Sequence, residues 1–307
     1  MAARGGGLPQ SFAMGLLDAA LGLCVVVFVV SSLAEAGLGV APRAVLAPLR
    51  HARFVFLTLI VGWLVCPAIA YLVIQVLPLA TPYATGLVLL SLAPGAPFAP
   101  ALARIAHADS AYMAAFMVLT AAATVVLMPV GVPLLIPGSA AAPGVIARPL
   151  LLLVLLPLLL GITTRGLRPA VADRVRPSLA AITRGLAGGL LLLMVVVHAR
   201  GVLDAVGSQA ILAMLIFLGV VTLVAHLLGA DLANEQRSVL TIGMCTRNLG
   251  AALAPAAVID PDPRVIVMIA IAVPLMLVLA AMTARTLARR QLGARDIDAA
   301  GGGAGIA

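Results

Sequence analysis

The 307-residue chain contains no lysine, and its charged residues amount to only 10% of the total. A soluble domain of this length carries roughly a quarter charged residues, needed to cover its surface. Aromatic residues are also scarce, at 4%, with a single tryptophan. Basic stripes interleaved with aromatics, the footprint of nucleic-acid binding, are therefore missing. The three cysteines, Cys24, Cys66 and Cys245, sit singly inside apolar runs without a CxxC pair. They read as small core residues rather than a disulfide or metal set. No HExxH, no GxSxG and no paired intramembrane aspartates occur, which argues against an intramembrane hydrolase.

What is present is apolar: 63% of residues are hydrophobic, so lipid must be the solvent for most of the surface. With about 20 mostly apolar residues needed per crossing, nine spans are expected. They are Phe12–Ala34, Phe54–Leu77, Tyr83–Ala103, Ser110–Ile136, Val145–Thr164, Ile182–Val202, Ala210–Ala230, Ser238–Val258 and Val265–Ala284. Ala34-Glu35-Ala36 mimics a signal-peptide cleavage site, but the run before it is long and holds Asp18, so cleavage is not expected. Residues 1–11 and 291–307 read as disordered tails around a transmembrane unit at 12–290, and Arg165–Pro177 as a short amphipathic surface stretch.

All of the net charge of +8 rests on arginine, and the arginines lie mainly between the runs. Of the 19, Arg4, Arg148, Arg200 and Arg264 fall on one side of a nine-span arrangement and Arg247 lies inside a span. The remaining 14 fall on the other side. The positive-inside rule then puts the N-terminus outside and the C-terminus in the cytoplasm. The expected location is the bacterial inner membrane.

Two spans are interrupted. The third carries Pro94, Pro97 and Pro100 within seven residues, each removing a backbone donor and crowding the preceding turn. The eighth carries Thr246-Arg247-Asn248, with Gly243 four residues before the arginine and Gly250 three after. A charge at this depth costs about 2.5–3.5 kcal/mol on the insertion scale. The breaks are five spans apart, so their segments enter the membrane from opposite sides. That is the pattern of two inverted repeats whose broken helices cross at a transporter's midplane site.

At these residues the chain resembles the bile acid:sodium symporter family. Ser91-Leu92-Ala93-Pro94-Gly95-Ala96-Pro97, followed by Ala108-Asp109, is similar to the family's Pro-Gly-Gly-Thr break and Gly-Asp turn. Thr241–Ala251 resembles the second family motif, and Ala41-Pro42-Arg43 and Pro67 also fit, over a stretch from about Met14 to Arg290. The resemblance implies an all-α membrane transporter with nine helices in a mobile core and a panel domain. It also implies a site at the crossing, assigned to Arg247, Asn248, Thr246, Pro94, Gly95 and Pro97. The positions of the family's sodium ligands read Ala99, Pro100, Met113, Met117, Gly243, Arg247 and Gly62 here. None supplies the oxygen that a hard cation needs, so no cofactor and no sodium coupling are expected. The implied partners are the bilayer and a small organic anion; a sodium symporter using backbone ligands, an intramembrane enzyme and a sensor are the alternatives. Oligomeric state stays open.

Other polar residues have plainer readings. Thr241, Cys245 and Asn248 share a helix face at i, i+4 and i+7, which suits interhelical hydrogen bonding. Ser91, Thr120 and Thr124 suit bonds to their own backbone. His198 and His226 fit span ends, Asp18 and Glu35 fit the ends of the first span, and Asp260, Asp262 and Arg264 fit an outer turn.

Overall fold

The computed structural model describes residues 10–136, 142–197, 205 and 207–302. Among these residues every regular element is a helix. The helices are α1 (Gln10–Leu38), α2 (Pro42–Leu49), α3 (Ala52–Val76), α4 (Thr81–Ser91), α5 (Ala99–Ile105) and α6 (Ser110–Leu135). They continue as α7 (Pro143–Leu167), α8 (Pro169–Val197), α9 (Ala210–Leu228), α10 (Asn234–Cys245), α11 (Leu249–Ile259) and α12 (Pro263–Gly302).

The expected count of nine spans is corrected. Among the described residues, five helices are long and apolar enough to cross a membrane: α3, α6, α7, α9 and the Pro263–Gln291 part of α12. A sixth appears if Gly22–Leu38 and α2, bent by 87° at residues 39–41, count together. Proline and glycine cut the expected third span into helices of 11 and 7 residues, and a break at Thr246–Asn248 cuts the eighth into 12 and 11. At 1.5 Å per residue the pieces cover only roughly a third to three-fifths of a roughly 30 Å hydrocarbon core. The expected sixth span runs into residues 198–202, outside the described residues, as does His198.

The division into two inverted repeats with core and panel domains is corrected as well. Nearly all of the buried apolar residues form one continuous cluster from Val29 in α1 to Leu287 in α12, with only a small satellite of Val45, Ala114 and Ala115 beside it, not two cores of comparable size. The surface stretch expected at Arg165–Pro177 is no separate element either, because α8 continues unbroken from Pro169 to Val197. The last helix runs from Pro263 to Gly302.

Local chemistry explains the helix shapes. In α3 and α7 a π-helical turn, Val61–Val65 and Leu151–Leu155, comes just before Pro67 and Pro157. The wider turn accommodates a residue that lacks an N–H and crowds the carbonyl four positions back. Asp109 caps α6, its Oδ1 accepting from Ala111 N at 2.7 Å and Tyr112 N at 3.0 Å. Helices α1 and α7 cross at Gly37 and Gly161: a Cβ on Gly37 would lie 2.3 Å from the Leu158 carbonyl oxygen. Small residues permit this backbone approach, which supplies the packing that lipid does not drive. Large apolar side chains such as Leu72, Val76, Leu134 and Leu160 point outward and exposed. Such a surface is sustainable against acyl chains and not against water, and the chain is an integral membrane protein.

Candidate functional site

The two breaks meet. Residues 92–98 between α4 and α5 lie against Thr246–Asn248 between α10 and α11, joined as an antiparallel bridge between Pro94 and Arg247. Gly95 N donates to the Thr246 carbonyl at 2.9 Å, and Asn248 N donates to the Ala93 carbonyl at 2.8 Å. Each break thus satisfies backbone groups of the other, as buried polar backbone requires in lipid. Gly95 has a φ of +85°, a conformation that L side chains rarely adopt, and a Cβ there would sit 2.9 Å from Thr120 Oγ1.

The side chains tighten the joint. Thr246 Oγ1 accepts from Ala96 N at 3.2 Å and donates to the Gly243 carbonyl at 3.1 Å. Asn248 Oδ1 accepts from Ala251 N at 3.1 Å, capping α11. The helix therefore ends before Asn248, and the shared face expected for Thr241, Cys245 and Asn248 does not exist. Pro94 and Gly95 are buried and Pro97 is half-buried.

Arg247 is fully buried, at 0% exposure. Its Nη2 donates to the Met244 carbonyl at 2.8 Å and to Cys66 Sγ at 3.2 Å, and its Nη1 reaches the Ser91 carbonyl at 3.4 Å. The guanidinium carbon lies 5.0 Å from the centre of the Phe217 ring, a cation–π distance. Three acceptors and an aromatic face offset part of a desolvation cost of several kcal/mol. The charge itself stays uncompensated: no carboxylate pairs with Arg247 among the described residues, and its Nε has no acceptor.

Beside the crossing an open, mostly apolar groove of about 500 Å³ lies on the surface of the molecule, bordered by Trp63, Pro67, Tyr71, Leu92, Gly131 and the outward-facing Leu134. Two of these residues directly follow Arg247's acceptors: Leu92 follows Ser91, and Pro67 follows Cys66. Trp63 also carries a buried indole N–H without an acceptor.

Most of the positions that the resemblance pairs with ion ligands are packed with carbon. Ala99, Met113 and Met117 are buried. The space over Gly243 is filled by Phe116, whose ring atoms would lie 2.4 Å from a Cβ at that position. Gly62 faces Pro94 and Met244. Neither Cys66 nor Phe217 was legible as a partner of Arg247, since each is one more apolar residue in an apolar run.

The remaining polar residues fall elsewhere. Ser91, Thr120 and Thr124 donate to backbone carbonyls of their own helices. His226, half-buried near the end of α9, lies with Nδ1 3.3 Å from Thr241 Oγ1. Asp262 holds Arg264 in the turn that opens α12, at 2.6 Å, and that guanidinium keeps the Asp262 carboxyl below the usual range.

A lipid-embedded helical protein whose two broken segments meet around a buried cation has the build of a membrane transporter. The family model described as the Sodium Bile acid symporter family matches residues 20–208, well over half of the chain, and the chain belongs to that family. The match contains the first break, whereas Thr246–Asn248 lie beyond it. None of the curated proteins compared with the chain matches it. Its family is one of membrane transporters, not of enzymes.

Proposed function

We propose that this protein carries a small organic anion across the bacterial inner membrane by alternating access, with Arg247 as the countercharge. The observation behind this reading is the guanidinium itself: fully buried at the crossing, without a carboxylate partner among the described residues, and with its Nε–H unused. A fixed cation that stays charged in a dry site suits a carboxylate or sulfonate. Thr246, Asn248, Pro94, Gly95 and Pro97 border the substrate and hold the crossing in shape, while the apolar groove beside Leu92 and Pro67 receives its hydrocarbon part. Transport in this reading does not require sodium, because carbon side chains fill most of the positions that the resemblance pairs with ion ligands.

Uptake by proteoliposomes, measured on a panel of simple carboxylates and steroid acids, tests the proposal. Saturable uptake of at least one anion is expected, unchanged when external sodium is replaced by potassium or choline. Absence of uptake across the panel would defeat the carrier reading. A steep, saturable sodium dependence would defeat the coupling reading alone.

The proposed orientation places the C-terminus in the cytoplasm and the N-terminus outside. It rests on Arg285, Arg289, Arg290 and Arg295, which cluster at and beyond the end of the last span. A C-terminal reporter should be active only in its cytoplasmic form; activity confined to the periplasmic reporter would reverse the orientation.

A further inference from the structure

A smaller cavity, of about 80 Å³, lies among α9, α10 and α12. A water needs about 10–15 Å³ on this measure, so the space can hold several waters or a tetrahedral oxyanion. His226, Asn234, Arg237, Ser238, Arg290 and Gln291 provide its polar lining. Among the described residues no carboxylate lines it, and Glu235, on the same turn of α10, is exposed and outside the lining.

Gln291 is the residue that demands an explanation. It is only 8% exposed, and its Nε2 donates to Ser238 Oγ at 3.0 Å. Ser238 in turn donates to the Asn234 carbonyl at 2.8 Å, so its oxygen must accept from the amide nitrogen. That chain fixes the amide, leaving Gln291 Oε1 buried with no donor. An unmet buried acceptor is costly, and native structures rarely tolerate one without a reason. Across the cavity, Arg237 is anchored through Nε to the His226 carbonyl at 2.7 Å.

The lining therefore makes two demands. Two guanidinium groups call for an anion, and the orphan carbonyl calls for a hydrogen-bond donor. A bare anion meets only the first, whereas a phosphodiester bearing a hydroxyl meets both. Depth narrows the source: His226 lies two residues before the end of α9, whose apolar run gives way to Asp231, Glu235 and Arg237, and α12 turns from an apolar run to Arg285, Arg289 and Arg290 at the same cavity. That is the level of lipid headgroups. The geometry points to a binding site for the headgroup of a hydroxyl-bearing anionic phospholipid of the phosphatidylglycerol type. Its phosphate sits on Arg237 and Arg290, and a headgroup hydroxyl donates to Gln291 Oε1.

The test uses the full-length protein, delipidated in detergent and titrated with phosphatidylglycerol, phosphatidylcholine or soluble glycerol phosphate. Bound molecules are counted by native mass spectrometry, with the melting temperature followed in parallel. Phosphatidylglycerol should bind and raise the melting temperature, and phosphatidylcholine should do neither. Arg290→Gln should weaken phosphatidylglycerol binding by roughly tenfold or more, the loss of a charge-assisted hydrogen bond. Gln291→Leu should weaken it at unchanged net charge. Arg289→Gln removes the same charge one residue away, at an exposed position outside the lining, and should leave binding within about twofold, as for a screened surface charge.

Equal losses in Arg289→Gln and Arg290→Gln would reduce the effect to general attraction by a basic surface and overturn the site. Equal binding of phosphatidylcholine would overturn it too. Saturation by soluble glycerol phosphate at matching concentrations would overturn the lipid as its occupant. If Gln291→Leu fails to fold, the two exposed arginine variants still distinguish a built site from a basic surface.

Discussion

Arg247→Gln is expected to insert and fold, yet to lose affinity for anionic substrates by about 2–5 kcal/mol, the range for truncating one partner of a buried charge pair. The shorter amide removes the fixed charge and the stack over Phe217, and its side chain is too short to keep all three acceptors now held by the guanidinium. Arg247→Lys keeps the charge but loses the planar fork, and should fall between the two in affinity. Concentration-dependent uptake in proteoliposomes, read beside the melting temperature of the detergent-solubilised protein, separates the roles. A substrate role moves affinity in the order arginine, lysine, glutamine. Unchanged affinity in Arg247→Gln, or outright failure to fold, would leave Arg247 as a brace between Ser91, Cys66 and Met244 and remove it from the substrate site.

Gly243→Ala is the second large effect, and it should appear in stability before transport. The new methyl would lie 2.4 Å from two ring carbons of Phe116, which is itself fully buried. Overpacking of this kind costs about 1–3 kcal/mol, enough to lower the melting temperature by several degrees. Adding Phe116→Leu should recover most of the loss, because it withdraws the atoms that clash. A Gly243→Ala protein that melts like the parent, or one that Phe116→Leu does not rescue, would refute this packing account. The pair also bears on ion coupling: at the position that the resemblance pairs with a family glutamate this chain has glycine, and the Phe116 ring fills the space above it.

The two interruptions were legible because proline and a buried arginine announce themselves in any apolar run. Asp109 was legible as part of a turn. Misread was what an interruption does to length. A window of apolar residues counts Tyr83–Ala103 as one span, although the prolines leave pieces of 11 and 7 residues that cannot each cross. Periodicity failed at Asn248 for the same reason, since spacing by helical turns loses meaning once the helix ends at Cys245. Contacts between distant segments were beyond reach altogether. Cys66 meets Arg247 across 181 positions, and nothing in a row of valines and leucines marks which cysteine or phenylalanine will face a guanidinium.

The joint between the breaks is written in main-chain atoms: Gly95 N to Thr246 O, and Asn248 N to Ala93 O. No substitution except proline can delete such a donor. The contact between the breaks is therefore independent of most side chains around it, Gly95 with its positive φ excepted. Side chains at the crossing can be exchanged without deleting either of these two bonds.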